Sequence, residues 1–462
     1  MNNFKAPLIT IYITNYNYGK YLKQSIESVL NQSFQDFELI IIDDGSTDDS
    51  KTIIESYEDN PKIKVVYQNN KGLTISNNTA LKLSQGNFIL RLDSDDYFHK
   101  DALMNLLKGF QSDEIGMVFG DWYEVDELGD VIELKQRHNF RRDVTLYDQP
   151  AHGACTMFRK SCLIKLNGYD ESIKRQDGYE LWLRFIQEFK VSNINIPIFY
   201  YRQHGKSLTK NEKKLLNTRA KILESHANKY SNKKNKMFFA IVPIRGSETD
   251  SRSKPFLKVG NKFLIDYTVE ELLETKNISK IIITTPSEEV INYIKKTYDN
   301  EKIVCLKRSM SLSRINVPLT ETILESIKTI DKIDSYDSFL LISIETPFKR
   351  SQLIDSAVNI KKIFDVDTVI GLRESDQLLY KHNGKGMVPL QKENSKLKLE
   401  SEQKYVKIQG LILRDIKEFL ITFDLNGSKI GHVIFDQEAS LNIKSSLDLL
   451  FAEAILKNKQ KT

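Results

Sequence analysis

The chain has 462 residues, 40% of them hydrophobic and 28% charged, which excludes a disordered or fibrous polymer and is too long for one ordinary core, so two or three domains are expected. Its 67 basic and 62 acidic residues leave a formal net charge of +5, a small excess over a large surface that gives no argument for nucleic acid. Cys155, Cys162 and Cys305 show no CxxC spacing and point to neither a disulfide framework nor a zinc site. With a first strand that follows without a leader-like region, and no run of about 18 apolar residues, a cytoplasmic protein with reduced thiols is expected.

In chain order, apolar runs at residues 8–13, 37–42, 64–67 and 88–92 read as strands. Between them, residues 21–30 place Leu22, Ile26, Val29 and Leu30 on one helical face, and residues 76–83 do so more weakly. After Tyr200 the pattern turns helical and basic, and it ends at 228–236 in a polar stretch without apolar periodicity. Strand signals start again at 237–242 and recur at 281–284, 339–344, 368–370 and 410–413. The expected fold class is α/β with two tandem Rossmann-like domains, each a mostly parallel sheet covered by helices. The boundaries follow: a first domain at 1–205, a basic helical extension and linker at 206–236, and a second domain at 237–462.

Asp43 and Asp44 follow one apolar run, and Asp93, Asp95 and Asp96 follow another. The carboxyl ends of parallel strands form the usual ligand crevice, and carboxylates there are costly unless paired. Close carboxylates repel one another, and a divalent cation relieves that repulsion while offering open positions to phosphate oxygens. Solvated turns and helix caps remain the alternative for each cluster alone. Asp177 precedes Tyr179-Glu180-Leu181-Trp182 and could cap a helix, serve as a general base, or do both.

The ordered set Thr14-Asn15-Tyr16-Asn17-Tyr18-Gly19-Lys20-Tyr21-Leu22, ELIIIDDGSTDD at 38–49, LDSDD at 92–96, Asn167-Gly168-Tyr169-Asp170-Glu171, Gln176-Asp177 and Tyr201-Arg202-Gln203-His204 resembles family 2 glycosyltransferases of GT-A fold. The resemblance covers roughly the first half of the chain. It implies that Thr14, Asn15 and Asp43 or Asp44 line a nucleoside pocket, and that Asp93 and Asp95 form a DXD motif. With Asp96 and His204 these would hold Mn2+ or Mg2+, while Asp177 would be the catalytic base. Here Gln176 replaces the Glu of the family's usual Glu-Asp pair. Asn77-Asn78 stands where the family often has Arg-Asn, so donor recognition is expected to differ. Asn77, Lys71 and Gly72 are candidate donor contacts. Arg202 would pair with phosphate or anchor its loop, and His204 has an ordinary surface histidine as its alternative.

In the second half, Ala240-Ile241-Val242-Pro243-Ile244-Arg245-Gly246-Ser247 with Lys254, IIITTPSEE at 281–289, Arg308 and Glu345-Thr346-Pro347-Phe348-Lys349-Arg350 resemble cytidylyltransferases that make CMP-activated acid sugars. Arg245, Gly246, Ser247, Lys254 and Arg308 would then contact nucleotide. Where such enzymes carry an Asp-Ile-Asp metal motif, this chain has Asn442-Ile443-Lys444, which loses two negative charges and gains a positive one. A degenerate binding module or assembly element is therefore expected.

The expected function is an inverting, metal-dependent glycosyltransferase acting from a nucleotide-sugar donor onto a glycan or lipid-linked acceptor in bacterial surface-polysaccharide synthesis. The alternatives are a bifunctional enzyme whose second domain also makes a CMP-activated sugar, and a non-catalytic nucleotide-binding scaffold. The basic stretch at 206–236 would suit peripheral association with the inner face of a membrane, or form a solvated face. Oligomeric state is not legible.

Overall fold

The computed structural model describes residues 6–136, 152–204, 212–231, 236–246, 250, 253–364, 366–375, 377, 379–384, 386–390 and 404–459. The chain forms two compact units, the first comprising Met1–Asn211 with Leu378–Glu402 and the second Glu212–Gln377 with Gln403–Thr462.

The first unit opens with β1 (Ile9–Asn15), α1 (Gly19–Leu30), β2 (Phe37–Asp43), α2 (Ser50–Glu55), β3 (Ile63–Tyr67), α3 (Leu73–Leu83) and β4 (Phe88–Asp93). It continues through β5 (Tyr97–Phe98), α4 (Ala102–Lys108), β6 (Ile115–Val125), β7 (Val131–Lys135), β8 (Met157–Arg159), α5 (Lys160–Lys165), α6 (Asp177–Glu188) and β9 (Lys190–Arg202). Among the described residues the strands make one nine-stranded sheet of order β3-β2-β1-β4-β8-β6-β9-β5, with β7 on β6. The apolar runs of β1 and β2 are buried along almost their whole length, as parallel strands covered on both faces require. Helix α1 buries Leu22, Ile26 and Val29 as its periodicity predicts. Parallel pairing of β1 with β2 and β4 sets Asn15 opposite Asp43 and Thr14 opposite Asp93, so the polar ends of three adjacent strands share one edge. That edge positions the candidate site.

The second unit contains α7 (Glu212–Tyr230), β10 (Met237–Pro243), β11 (Lys258–Val259), β12 (Lys262–Phe263), α8 (Leu264–Glu274), β13 (Ile278–Thr285), α9 (Glu288–Thr297), β14 (Ile303–Lys307), α10 (Thr320–Lys328), β15 (Tyr336–Ile342), α11 (Ser351–Ile363) and β16 (Thr368–Ser375). β17 (Tyr380–His382) and β18 (Met387–Pro389) form an antiparallel hairpin in the segment that clusters with the first unit. β19 (Lys404–Asp415), α12 (Ile416–Thr422), β20 (Ile430–Ile434) and α13 (Ser446–Lys459) complete the second unit. Its main sheet has the order β14-β13-β10-β15-β19-β16-β20, with β19 antiparallel to both neighbours.

The basic helical extension is drawn differently by the structure than by the sequence. Of residues 206–236, 206–211 and 232–235 lie outside the described residues, while α7 belongs to the second unit. Leu216, Ile222, Leu223 and Ala227 are buried, Glu224 pairs with Lys276 at 2.6 Å, and the Ser231 hydroxyl donates to the Lys362 carbonyl in the last turn of α11. The lysines dominate the composition and mask a narrow apolar stripe. A fragment 212–462 is expected to be more stable than a fragment 237–462 by about 3 kcal/mol or more, the transfer cost of re-exposing those side chains; urea denaturation of the two fragments measures it.

Candidate active site

At the end of β1, the buried Asn15 amide donates to the Ser46 hydroxyl at 3.0 Å, while its Oδ1 is buried with no partner among the described residues. Asp43 Oδ1 accepts from the backbone N–H and the hydroxyl of Ser46. Asp44 accepts from Gln68 Nε2 (2.7 Å) and from the backbone N–H groups of Lys71 (2.9 Å) and Gly72 (2.8 Å). Gly72 has φ +91°, a conformation that needs a glycine, and α3 starts directly after it. Thr14 is partly buried at the strand end, and the Lys71 side chain is exposed. The candidate contribution of Lys71 is thus its backbone, spent on Asp44.

The Asp93-Ser94-Asp95-Asp96 turn leaves β4 and meets the end of β9. Asp95 Oδ2 lies 2.8 Å from His204 Nε2, and that imidazole is buried, stacked on Tyr21 and edge-on to Tyr18. An ordinary surface histidine does not describe it. Asp96 Oδ1 accepts from the Arg202 backbone N–H at 2.9 Å, and its Oδ2 is buried without a partner among the described residues. Burial, reinforced by Asp95 and Asp93, raises the Asp96 carboxyl well above its ordinary range. Burial also raises Asp93 to about 6, against the opposing pull of the Arg91 guanidinium and with repulsion from Asp95 adding to it.

The four-ligand set Asp93, Asp95, Asp96 and His204 is not assembled as one group. Among the described residues no three His, Cys, Asp or Glu side chains are gathered to hold an ion. Each carboxylate is held by something else: Asp93 by Arg91, Asp95 by His204, and Asp96 by the backbone of β9. The donor chemistry still fits a hard divalent cation, since carboxylate and imidazole donors crowd one turn and one buried carboxylate oxygen has no partner.

Arg202, expected to pair with phosphate or to anchor its loop, is bonded to the loop here. The side chain is buried; Nε donates to the Asp95 carbonyl, Nη1 to the carbonyls of Asp126 and Glu127, and Nη2 to Gln24 Oε1. The guanidinium also stacks over Tyr21 and Tyr97. A guanidinium spent on carbonyls has little left for a phosphate.

Asp177 is the first residue of α6 and is buried. Its Oδ2 accepts from Arg91 Nη1 at 2.7 Å and from Asn77 Nδ2 at 3.0 Å, and no bond reaches its other oxygen among the described residues. Asn77, a candidate donor contact from the sequence, is therefore turned onto the candidate base. Arg91 was missed. Its signal was a charged residue inside the apolar run 88–92, two positions before Asp93 and so on the same face of β4.

In the second unit, Gly246 has φ +77° after β10, and Arg245 reaches Asp250 and the Ile315 carbonyl only at 3.5 Å. Lys254 is exposed. Ser247 lies outside the described residues. Arg308 is buried, bonded to Ser313 Oγ, Thr322 Oγ1 and the Ile244 carbonyl, and burial lowers it to about 10. It ties the end of β10 to the segment that leads into α10. The Asn442 amide donates to Gln409 Oε1 at 3.2 Å, and the Lys444 backbone N–H to Asp448.

Residues 10–166 match the family described as Glycosyl transferase family 2, and residues 239–333 match Cytidylyltransferase. An uncharacterized glycosyltransferase of Haemophilus influenzae is 36% identical over 188 residues, covering 40% of this chain and 74% of that protein. The chondroitin synthase of Escherichia coli is 32% identical over 205 residues, 44% of this chain and 30% of that protein. The chain thus spans less than a third of the chondroitin and hyaluronan synthases it matches. Among solved structures, S. aureus TarS 1-349 in complex with UDP-GlcNAc is 20% identical, with 48% of this chain and 67% of that chain covered and a TM-score of 0.41.

The anchoring role of Arg202 has a direct test. Arg202→Ala is expected to lower first-domain stability by about 3 kcal/mol or more, because several buried carbonyls lose a charged donor. Chemical denaturation measures this, whereas a phosphate-binding arginine would leave stability near wild type.

Proposed function

The chain belongs to glycosyltransferase family 2 through residues 10–166, and from that premise we propose that its first domain is a metal-dependent, inverting transferase that moves a sugar from a nucleotide-sugar donor to a glycan or lipid-linked acceptor in surface-polysaccharide synthesis. The single observation that carries the reading is Asp177: a buried carboxylate with one oxygen fixed by two donors and the other unpaired among the described residues. Such an arrangement suits a general base, one oxygen held so that the other can come within hydrogen-bond reach of a proton. The match to chondroitin synthases supports the polysaccharide setting.

On this reading the nucleoside lies along the ends of β1 and β2. The buried Asn15 Oδ1 is suited to accept an N–H of the base, and Asp44 holds the loop that leads into α3. Asp95, Asp96 and His204, with Asp93, would hold Mn2+ or Mg2+, which when bound neutralises charge on the departing diphosphate. Asp177 takes the proton of an acceptor hydroxyl as its oxygen attacks the anomeric carbon and the carbon–oxygen bond to the diphosphate breaks. Attack from the side opposite the leaving group inverts the configuration. Arg202 stays out of the chemistry and fixes the Asp95-Asp96 turn. Among the described residues no helix is long and apolar enough to cross a membrane, so a lipid-linked acceptor would be met at a surface.

The second domain is proposed not to transfer nucleotide. The observation favouring this is Asn442, whose side-chain amide is bonded to Gln409 where a metal-binding carboxylate would be needed, while Arg308 is committed to the interior.

A screen of UDP-, GDP-, CMP- and dTDP-sugars with Mn2+ or Mg2+ is expected to give metal-dependent nucleotide release, which Asp177→Asn reduces by about 100-fold or more and Asp95→Ala also reduces. Equal release by wild type and Asp177→Asn would refute the base assignment. In a separate assay, the full-length protein with CTP, acid sugars and either metal is expected to release no pyrophosphate; release that an Arg308→Ala variant lacks would make the second domain an enzyme.

A further inference from the structure

We infer that Arg91 is a positioning residue for the transfer reaction, holding Asp177 in its proton-accepting orientation and tying it to Asp93 at the other end of the same guanidinium; this rests on the reading of Asp177 as the base. Arg91 sits inside β4, paired across the sheet with Tyr12 of β1, and is almost completely buried. Its Nε lies 2.8 Å from Asp93 Oδ1 and its Nη1 2.7 Å from Asp177 Oδ2. The two carboxylates are 84 positions apart in sequence (177 − 93), yet one planar group sets their separation. A lysine, with a single charged point, cannot reproduce that fork.

The surroundings are built to that group. A Cβ on Gly153 would come 3.0 Å from Arg91 Nη2, and one on Gly178 would come 2.9 Å from the Gly153 Cα, so two segments approach closely where the guanidinium lies. The Arg91 carbonyl accepts from the Cys155 N–H at 2.7 Å. Gln176, directly before Asp177, has φ +60°, a left-handed conformation that a non-glycine residue keeps only where its surroundings impose it. Stability alone is a poor reason for such an arrangement, because a buried ion pair is often matched or bettered by apolar residues of similar volume. Orientation of Asp177 is a sufficient reason: Oδ2 takes both the Arg91 and Asn77 donors, and Oδ1 is left for the acceptor.

The test is a double-mutant cycle with the donor that the wild type turns over. Arg91→Lys is expected to lower kcat by about 30-fold or more, with donor KM changed less than about 3-fold, as expected when an interaction is used in the transition state and not in donor binding. Combined with Asp177→Asn, the same substitution is expected to cost less than about 3-fold, since no base is left to position. A full Arg91→Lys cost in the Asp177→Asn background, or a loss carried wholly by donor KM, would overturn the proposal. If Arg91→Lys does not fold, Arg91→Gln enters the same cycle. A crystal structure of the folded variant gives an activity-independent arm: a reoriented Asp177 side chain supports the proposal and an unmoved one refutes it. A wild type that turns over no donor would sink the transferase reading while leaving this structural arm decisive for Arg91.

Discussion

Arg91 puts a full positive charge inside β4, and a charge there is tolerable only because carboxylates reach it from two directions. Much of the first domain's site follows from that requirement. Asp93 must leave the strand on the face that Arg91 occupies, which two-residue alternation provides. The segment carrying Asp177 must come close over the sheet, which Gly153 and Gly178 permit and Gln176 turns into a helix start. Asn77 then faces Asp177 from α3 and completes the pair of donors on one oxygen. A guanidinium fork thus converts three distant stretches of sequence into one set of fixed positions.

The sequence made local, periodic features legible. β1, β2 and β4 show as apolar runs because both faces of a covered parallel strand are buried, and α1 shows because its stripe is wide. The ordering of Asp44, Asp95, Asp177 and His204 was readable as a pattern, but their partners were not. Nothing local says that Lys190–Arg202 pairs with Ile115–Val125, or that the end of that strand closes over the Asp95-Asp96 turn. Arg91 reads as a solvated residue unless the strand is known to be covered. Arg202 and Arg308 show the converse: an arginine in a motif invites a ligand, while both side chains are spent on carbonyls and hydroxyls. Helix α7 was legible as a basic helix, but its lysines concealed the apolar stripe that packs it into the second unit.

Both sheets begin with the same spatial order, third, second, first and fourth strand, yet the edges that follow carry different chemistry. In the second domain the segment after β15 turns a lysine inward. Lys349 Nζ donates to the carbonyls of Ser343 and Thr346, and burial lowers it to about 7 against the opposing influence of Glu345 and Glu271. Such an amine is spent on two carbonyls of its own loop. With Arg308 also turned inward and Asn442 bonded to Gln409, the polar groups of that edge are bonded within the fold.

The acidic turn of the first domain takes the opposite course, holding its charges apart instead of cancelling them. Three carboxylates within four residues repel one another, and each is met by a separate partner: a β4 guanidinium for Asp93, an imidazole for Asp95 and a β9 backbone N–H for Asp96. Two of these partners lie at the end of β9, so the Tyr201-Arg202-Gln203-His204 segment helps to fix the turn. Asp93 shares the Arg91 guanidinium with Asp177, so its place in the turn is tied to that of a residue on another element. One planar guanidinium thereby links the acidic turn to the first residue of α6 with no other segment between them.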